Sequence, residues 1–381
     1  MVSFCSHQGV CGGCDFADQD YPAQLEYKNT YCRNLFTAFG VTAEPVIPSP
    51  QAKYFRNKME FCINAEQGRL HIGMRQKARF DRVVDIKDCP VCIEQSGALL
   101  EAVRQWQKES ATLAYDMRTR SGELRYVSIR HAKTTGELMV IISASFELEQ
   151  LESLRGKYKL LAEKLANTCG VSSFYLCRNA IVSDTALSQE IYLIHGTDAI
   201  HESVNGIVYA IRPGTFFQTN SLACEKLYQA ITHLAQEMPD PVYDMYCGSG
   251  GITLQLARQG KSVIGVDNSQ RNIKDAQENA QLNKIGNAQF ICADADAFMA
   301  DTQLNACGMI LDPPRSGLTN KFLQALVTRG PGALVYVSCN PLKFREELKK
   351  LEPAYTLQSV VPVDMFPCTK HMEVVALLKK K

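Results

Sequence analysis

Residues 244–251 read Asp-Met-Tyr-Cys-Gly-Ser-Gly-Gly, and this stretch indicates how the second half of the chain folds. The pattern is typical of a strand, a tight turn and the start of a helix, because glycine lets the backbone turn sharply and approach a ligand closely. From residue 242 onward, strand-like segments alternate with helix-like segments at 252–259, 270–283, 319–328 and 341–351. This alternation predicts an α/β domain whose mostly parallel sheet is covered on both faces.

Three acidic residues follow successive strands of this predicted sheet. Asp267 comes 19 residues after Gly248, a spacing at which a carboxylate can bind ribose hydroxyls. Asp294 follows the third strand and could face an adenine. An acidic residue in a solvent-exposed loop, without a ligand, is an equally good interpretation. Asp312 opens Asp-Pro-Pro-Arg, a loop stiffened by proline that could hold a nucleobase by its edge. We expect the cofactor site to contain these acids together with Gly248, Gly250 and Gly251.

The end of the chain distinguishes two classes of cofactor. The glycine pattern alone is weak, because nicotinamide-binding domains use nearly the same turn. Residues 355–364 and 372–378 look like two strands without a helix between them, which predicts a terminal antiparallel hairpin. A seven-stranded methyltransferase sheet ends in this way, whereas a nicotinamide-binding domain need not. The predicted fold class is therefore α/β, with a Rossmann-like methyltransferase domain.

Cys339 is the candidate nucleophile. It follows the apolar segment 333–337 and precedes Asn-Pro, so it lies at the carboxyl end of a predicted strand, where open α/β sheets bind ligands. A buried, inert cysteine is the commoner role of this residue type. Its place in the same sheet as the glycine turn and the Asp312 loop favours catalysis instead.

Methyl transfer to C5 of a pyrimidine needs a nucleophile, because C5 is unreactive in the resting base. A thiolate that adds to C6 turns C5 into an enolate carbon, which can take a methyl group from S-adenosylmethionine. A base must then remove the C5 proton. Glu373 begins an apolar strand, where burial would raise its pKa, and it is the candidate base. The alternative is a carboxylate at a strand edge without a catalytic role.

The chain contains 15 cysteines, and three of them lie close together near its start. Cys5, Cys11 and Cys14 occupy a short glycine-rich segment, and Cys89 is followed by proline much further on. Three closely spaced thiols and a distant Cys-Pro suit a [4Fe-4S] cluster, with zinc as the alternative. Cys92 competes with Cys89 as the fourth ligand, and the Cys-Pro step favours Cys89.

Composition and charge exclude several classes of protein. Of the 381 residues, 46% are hydrophobic and 21% are charged, which is ordinary for a soluble protein of two or three domains. We find neither an apolar run long enough to span a bilayer nor a signal peptide, and we therefore expect a cytoplasmic location.

Positive charge is concentrated in two segments, although the net charge is only +1. Residues 53–87 hold nine Lys/Arg and four Asp/Glu, and residues 117–135 hold five Lys/Arg and one Glu. Such segments can supply contacts to nucleic-acid phosphates, and the alternative is two solvated strand faces. The expected contacts are Arg56, Lys58 and Arg130.

These motifs together resemble the RNA uracil-C5 methyltransferase family of the RlmC, RlmD and TrmA type. The resemblance covers almost the whole chain and rests on the cysteines above and on residues 55–58, 216–220, 244–251, 312–315, 338–340 and 371–373. It implies S-adenosylmethionine as donor, Cys339 as nucleophile and Glu373 as base. It also implies that the donor or the uracil contacts Gln218, Tyr246, Asp267 and Asp312. Some relatives carry a polar side chain at the position of Gly251, where this chain offers only backbone.

The resemblance further implies a division into domains. Residues 1–16 and 49–213 would form an α+β RNA-binding domain with the cluster loop, and residues 214–381 would form the methyltransferase domain. Residues 17–48 would pack on the methyltransferase domain as a helix. Many relatives carry an N-terminal OB-like domain, and this chain is expected to lack one because it begins at the cysteine cluster.

The expected activity is formation of 5-methyluridine in RNA, with 23S ribosomal RNA as the main candidate because the cysteine cluster resembles that of the ribosomal members. Alternatives are the same reaction at uridine 54 of tRNA, and an RNA-binding module with a vestigial cofactor fold. Intact Cys339 and Glu373 favour an enzyme. An enzyme that used the cluster for radical chemistry would leave one iron of the cluster without a cysteine ligand. A fourth cysteine ligand therefore disfavours that class of enzyme. RNA is the expected partner, without a membrane or an obligate protein partner.

Overall fold

The structure, a computed structural model, describes residues 4–66, 69–182, 184–188, 190–302, 304 and 307–381. The chain divides into two compact units. The first unit consists of Met1–Gln19, Gln51–Glu202 and Ile211–Gly214, and the second of Asp20–Pro50, Ser203–Ala210 and Thr215–Lys381. Each unit contains a seven-stranded sheet.

The sheet of the first unit is mostly antiparallel. Its strands are β1 (Lys58–Glu66), β2 (Arg69–Gln76), β3 (Arg79–Asp85), β4 (Leu124–His131), β5 (Leu138–Ala144), β6 (Val171–Arg178) and β7 (Glu190–Gly196), in the order β3-β2-β1-β4-β5-β6-β7. Strands β5 and β6 pair in parallel, as the long connection between them permits. Apolar and polar residues alternate within residues 53–88 and 123–146, which predicts antiparallel strands, and the structure confirms them.

Two helices share a core with this sheet. They are α2 (Ser96–Ser110) and α3 (Leu151–Cys169), and the rings of Trp106 and Tyr158 lie 5.2 Å apart between them. The apolar spacing of the sequence predicts helices over 93–109 and 148–167, and both predictions begin three residues before the helices do. Their ends depend on local caps, such as Gly170, which closes α3 with a φ of 71°.

The sheet of the second unit is mostly parallel. Its strands are β10 (Val242–Met245), β11 (Val263–Asp267), β12 (Ala288–Cys292), β13 (Gly308–Leu311), β14 (Ala333–Ser338), β15 (Tyr355–Val363) and β16 (Glu373–Lys380), in the order β12-β11-β10-β13-β14-β16-β15. Strands β10 to β14 run parallel, and β16 pairs antiparallel with both β14 and β15. The predicted parallel sheet and terminal hairpin are confirmed. The chain moves outward in opposite directions from β10, so the ends of β10 and β13 border the crevice where such sheets bind ligands.

The helices of the second unit begin where the local sequence supplies a cap. They are α1 (Tyr21–Phe36), α4 (Ser221–Leu234), α5 (Gly251–Arg258), α6 (Gln270–Leu282), α7 (Ala295–Asp301), α8 (Asn320–Arg329) and α9 (Pro341–Leu351). Side chains of Asn220, Ser269 and Thr319 accept hydrogen bonds from the first turns of α4, α6 and α8. Asn340 caps α9, and Pro341 fits its first position because proline there loses no hydrogen bond.

Helix α1 contributes to the core of the second unit. Cys32, Leu35 and Phe36 pack among side chains of the parallel sheet. The rings of Phe36 and Phe344 in α9 lie 5.8 Å apart. The spacing of apolar residues predicts a helix over residues 20–39. The structure confirms it as α1, continued by a tighter 3₁₀ turn over Thr37–Phe39.

A separate two-stranded sheet pairs β8 (Ile200–Val204) with β9 (Ile207–Ile211), where the chain passes between the units. Among the described residues, no helix has both the length and the hydropathy that crossing a membrane requires.

Candidate active site

The glycine turn follows β10 and opens α5. Tyr246, Gly248 and Gly250 all have left-handed backbones, with φ of 64°, 54° and 84°. A Cβ on Gly250 would lie 3.2 Å from the Ala276 side chain and 3.3 Å from the Phe290 ring, so packing favours glycine there. Apart from Gly248 itself and its two neighbours in the chain, no described residue has an atom within 4 Å of the place where a Gly248 Cβ would stand. That space allows a ligand to approach the backbone.

Asp267 is held rigidly at the end of β11. Its Oδ2 accepts a hydrogen bond from the Gly248 N–H at 3.0 Å. Its Oδ1 accepts from the Ser269 N–H at 2.9 Å and from the Asn272 side-chain amide at 3.0 Å. The structure therefore places this carboxylate beside the glycine turn, and its contact with a ribose stays a prediction.

Asp294 serves as the N-cap of α7. Its Oδ1 accepts a hydrogen bond from the Ala297 N–H at 3.0 Å, and its side chain is exposed. Capping explains an acid at this position without a ligand. The neighbouring Ala293 N–H donates to the Asp267 carbonyl at 3.0 Å, which ties the segment to the end of β11. The contact of Asp294 with an adenine stays a prediction.

Two carboxyl groups lie at neighbouring strands of the crevice. Asp244 in β10 is fully buried, and its Oδ2 accepts a hydrogen bond from the Thr253 hydroxyl at 2.5 Å. Its Oδ1 has no hydrogen-bond partner among the described residues. Burial raises the pKa of Asp244 to about 7, and burial together with the charge of Asp244 raises the pKa of Asp312 to about 7. An unpartnered buried oxygen of this kind indicates a place for a ligand group.

Asp244 is a residue that the sequence-based analysis quoted but did not single out. The available signal was an acid inside the otherwise apolar segment 242–246. A charged residue in a central strand is costly to bury unless it has a role in structure or binding.

Cys339 and Glu373 lie opposite each other at the end of the pair β14–β16. Ser338 pairs with Val374 in this antiparallel ladder, so the residue after Ser338 faces the residue before Val374. Cys339 is half-buried, and Glu373 is 5% exposed. Backbone register therefore brings the candidate nucleophile and the candidate base together.

Charges around Cys339 act on its thiol in opposite directions. Burial raises the pKa of Cys339 to about 11, the charges of Glu373 and Asp312 add to this increase, and Arg315 opposes it. Burial also raises the pKa of Glu373 well above its ordinary value, and the charge of Asp312 adds to that effect. In this structure Cys339 is therefore a thiol at neutral pH.

Arg315 and a helix terminus supply positive potential near Cys339. The Arg315 guanidinium lies 3.4 Å from Nδ1 of His371. The Arg315 carbonyl accepts a hydrogen bond from the side-chain amide of Asn340 at 3.4 Å. Because Asn340 caps α9, the positive end of that helix follows Cys339 directly. Both features favour the thiolate over the thiol.

Helix α1 holds the loop that joins β15 to β16 and leads into Glu373. Lys28 Nζ lies 2.6 Å from Asp364 Oδ1, and both side chains are fully buried. Lys28 also donates to the Phe366 carbonyl at 3.1 Å. Removal of either charge would leave the other buried without its opposite charge, so this pair stabilises the loop.

The segment that contains Gln218 lies beside the glycine turn. The Ser249 hydroxyl donates to the Phe216 carbonyl at 3.1 Å. Asn220 is fully buried, and its amide donates to the Met365 carbonyl at 3.1 Å. Gln218, between these two anchored residues, is half-buried. Its contact with the methyl donor stays a prediction.

The four cysteines predicted to bind a cluster all belong to the first unit, and three of them, Cys5, Cys11 and Cys89, act on one another electrostatically. Cys5 and Cys11 interact in this way, and both interact with Cys89. Cys14 and Cys89 in turn interact with the guanidinium of Arg56. Burial raises the pKa of Cys11 and of Cys89. The structure therefore brings the distant Cys89 to the N-terminal cysteines.

Backbone hydrogen bonds hold the N-terminal cysteine segment against the end of β2. The Gly12 N–H donates to the Arg75 carbonyl at 3.0 Å, and the Lys77 N–H donates to the Val10 carbonyl at 2.8 Å. Within the segment, N–H groups lie 3.4 Å from the sulfurs of Cys5 and Cys11. Hydrogen bonds to sulfur of this kind also occur around iron–sulfur clusters.

Cys92 differs from Cys89 in its surroundings. It is 1% exposed and packs in the hydrophobic core of the first unit, and burial raises its pKa to about 12. In the part of the chain that the structure describes, no group of three or more His, Cys, Asp or Glu side chains has the arrangement of a metal site. The cluster predicted from the sequence is therefore not supported by this geometry.

The expected contact between Arg130 and RNA is not supported. Arg130 is 5% exposed and donates to the Arg212 carbonyl at 3.0 Å. Arg56 is half-buried and donates to the Lys58 carbonyl at 3.0 Å, whereas Lys58 pairs with Glu60 at 2.8 Å. Alternation in the sequence identified the strands but could not tell which of their two faces other parts of the chain cover.

Comparison with known proteins identifies relatives over the full chain. A family model described as tRNA (Uracil-5-)-methyltransferase matches residues 20–381. A protein described as an uncharacterized RNA methyltransferase from Caldanaerobacter subterraneus is 31% identical, over 100% of this chain and 85% of its own length. The tRNA (uracil(54)-C(5))-methyltransferase of Pyrococcus horikoshii is 33% identical, over 98% of this chain and 85% of its own length.

A solved structure agrees with these relatives. The tRNA (uracil-54, C5)-methyltransferase of Pyrococcus abyssi, in complex with S-adenosyl-L-homocysteine, matches with a TM-score of 0.80 and 29% identity. The match covers 97% of this chain and 86% of the Pyrococcus abyssi chain. The chain belongs to the tRNA (uracil-5-)-methyltransferase family.

Proposed function

We propose that Cys339 is the nucleophile and Glu373 the general base in S-adenosylmethionine-dependent methylation of uracil C5 in RNA. Membership of the family gives the reaction class and the donor. The register of β14 and β16, which sets these two residues opposite each other, is the observation that supports their roles.

The proposed reaction uses each group in turn. The Cys339 thiol first loses its proton to solvent. Its thiolate then adds to C6 of the uracil, and the electron pair of the C5–C6 double bond makes C5 an enolate carbon. C5 takes the methyl group from the donor sulfonium, and S-adenosylhomocysteine leaves. Glu373 removes the C5 proton, and the electron pair of that C–H bond restores the C5–C6 double bond as the sulfur leaves C6.

The charges of the site suit these roles. A raised pKa lets Glu373 hold the proton that it takes from C5, because a carboxylate whose pKa is raised by burial is a stronger base. Arg315 and the N-terminus of α9 stabilise the thiolate of Cys339 both before it adds to C6 and when it is released.

We assign the methyl donor to the glycine turn of the second unit. The open space at Gly248 and the unpartnered Oδ1 of Asp244 fit a polar ligand. The residues proposed to contact the donor or the uracil are Gln218, Tyr246, Gly248, Gly250, Gly251, Asp267, Asp294 and Asp312.

A tRNA uridine is the better-supported target. The sequence favoured 23S ribosomal RNA, but two relatives whose names state a substrate are tRNA (uracil(54)-C(5))-methyltransferases, one of Pyrococcus horikoshii and one of Pyrococcus furiosus, 33% and 32% identical. Because both alignments cover nearly the whole chain, they support the tRNA alternative.

The target can be tested with purified protein and methyl-labelled donor. We expect label in an unmodified tRNA transcript and none in a transcript in which uridine 54 is cytidine. Label confined to a 23S ribosomal RNA transcript would restore the ribosomal target. Absence of label from all uridine-containing RNAs, with donor binding intact, would contradict the enzymatic function.

We further propose a [4Fe-4S] cluster on Cys5, Cys11, Cys14 and Cys89. Four thiols within one unit, of which Cys5, Cys11 and Cys89 interact electrostatically, would supply the appropriate donor set. Burial raises the pKa of Cys11 and Cys89, so cluster binding would have to deprotonate them. The cluster would tie the N-terminal segment to the loop at Cys89.

Anaerobic purification tests the cluster. We expect a brown protein with about four iron and four sulfide per chain. Cys89→Ser should lose the iron, whereas Cys92→Ser, the matched control, should keep it because Cys92 packs in the core. A colourless protein with stoichiometric zinc would reverse the assignment.

A further inference from the structure

Gly251 is the first residue of α5, and the hydroxyl of another residue fills the space of its missing side chain. An ideal Cβ at Gly251 would overlap the hydroxyl of Tyr228 and lie 3.2 Å from the ring carbon Cζ. Tyr228 belongs to α4 and is 5% exposed. Its hydroxyl therefore stands where a side chain at position 251 would stand, at the N-terminus of α5.

The surroundings of this hydroxyl make it a hydrogen-bond donor. Burial raises the pKa of Tyr228 well above its ordinary value, and the charges of Cys224 and Tyr209, a hydrogen bond with the Cys224 side chain and, least of all, the charge of Asp312 add to the increase, so the hydroxyl keeps its proton. The Tyr209 hydroxyl donates to the Gly251 carbonyl at 3.0 Å and so fixes this turn.

We propose that the Tyr228 hydroxyl donates a hydrogen bond to the carboxylate of S-adenosylmethionine, an inference that rests on the assignment of the donor to the glycine turn. The carboxylate is the one anionic group of the donor at neutral pH, and the N-terminus of α5 attracts an anion. Gly251 has no side chain to direct that group. Tyr228, which reaches the same point from α4, supplies the directed donor.

Removal of the hydroxyl alone tests this contact. Tyr228→Phe should weaken the binding of S-adenosylhomocysteine about tenfold, as expected when a charged group loses a hydrogen bond. Binding is measured by calorimetry without RNA. Methylthioadenosine lacks the carboxylate, and its affinity should change less than about twofold.

A matched control is Tyr355→Phe, which removes another buried hydroxyl. That hydroxyl donates to the Pro331 carbonyl at 2.7 Å and belongs to no part of the donor site. The control should bind S-adenosylhomocysteine as the unaltered protein does. Unchanged affinity of Tyr228→Phe, or equal losses for S-adenosylhomocysteine and methylthioadenosine, would overturn the inference.

Two further variants test whether the Tyr228 hydroxyl occupies the place of a side chain at position 251, without relying on Tyr228→Phe. Gly251→Ser alone should bind S-adenosylhomocysteine poorly, because the new side chain overlaps the Tyr228 hydroxyl. Gly251→Ser combined with Tyr228→Leu should recover affinity at least about fivefold, because the serine hydroxyl can then take the freed position. No recovery would count against the inference. Since RNA is absent, a failure here is distinct from a failure of the proposed uracil chemistry.

Discussion

The two units hold their reactive cysteines in different ways. In the second unit, Cys339 directly follows β14, and the pairing of β14 with β16 sets it opposite Glu373. In the first unit, the N-terminal cysteines lie outside the named strands and helices and are held by a few backbone hydrogen bonds. A residue at a strand end takes its position from the sheet, whereas a residue in a loop depends on local contacts or on a bound group.

Charge separates the two regions as well. Cys339 has Arg315 and the start of α9 to favour its thiolate, as a nucleophile requires. In the first unit, the thiols of Cys92, Cys89 and Cys14 all interact with the charge of Arg56. Both the role of Cys339 in attack on a carbon and the metal cluster of the first unit stay proposals, and the described residues show no group arranged as a metal site.

The largest effect is expected from removal of the nucleophile. Cys339→Ala should lower methylation at least about 10³-fold, because C5 is not activated without the thiolate. The measurement is transfer of label from the donor to RNA. Cys292→Ala, which alters an exposed cysteine of the same unit, should keep nearly full activity. Methylation within tenfold of normal in Cys339→Ala would contradict the assignment.

Removal of the base should stop the reaction at a later point. Glu373→Gln should lower turnover by about 10²–10⁴-fold and leave a covalent complex between protein and RNA, because the C5 proton cannot leave. Denaturing electrophoresis with labelled RNA detects that complex. Glu237→Gln, at an exposed position, is the control. Normal turnover in Glu373→Gln would exclude it as the base.

The buried pair between α1 and the hairpin loop should affect stability. Lys28→Met should lower the free energy of unfolding by about 3–5 kcal/mol, because Asp364 is left buried and unpaired. Urea unfolding measures the change. Lys28→Met combined with Asp364→Leu should recover a large part of it, because no unpaired charge remains. If Lys28→Met alone were as stable as the unaltered protein, the pair of Lys28 and Asp364 would not stabilise the loop.

The smallest effect concerns pH. Because the pKa of Cys339 is raised to about 11, its thiolate fraction should rise about tenfold per pH unit between pH 7 and pH 9. The rate of alkylation of Cys339 by iodoacetamide, followed by mass spectrometry, should rise in the same proportion. Arg315→Gln should lower the rate at each pH, because Arg315 opposes the increase in pKa. A rate that levels off below pH 9 would contradict the raised pKa.

The sequence predicted much of the second unit, because its reactive residues flank strands whose patterns are strong. The parallel sheet, the terminal hairpin and the positions of Cys339 and Glu373 at strand ends follow from local segments. Burial was harder to predict. Asp244 was not singled out, since its buried, unpartnered oxygen depends on how α5 packs over β10.

Long-range contacts and covered faces were not predictable from local patterns. The pair Lys28–Asp364 joins residues 336 positions apart, and no pattern in either segment indicates the other. Arg130 lies on a strand that was predicted, but on a face that is covered. The expectation of a 23S ribosomal RNA target came from the cysteine cluster rather than from the catalytic unit, and the relatives favour tRNA.

The most direct test of the central claim uses tRNA that carries 5-fluorouridine at position 54. Fluorine at C5 cannot leave as a proton, so after methyl transfer the bond between protein and base should persist. We predict one RNA attached per protein chain in the presence of S-adenosylmethionine, with peptide mapping that places the attachment at Cys339. Attachment at a different residue, or none while ordinary tRNA is methylated, would contradict the account.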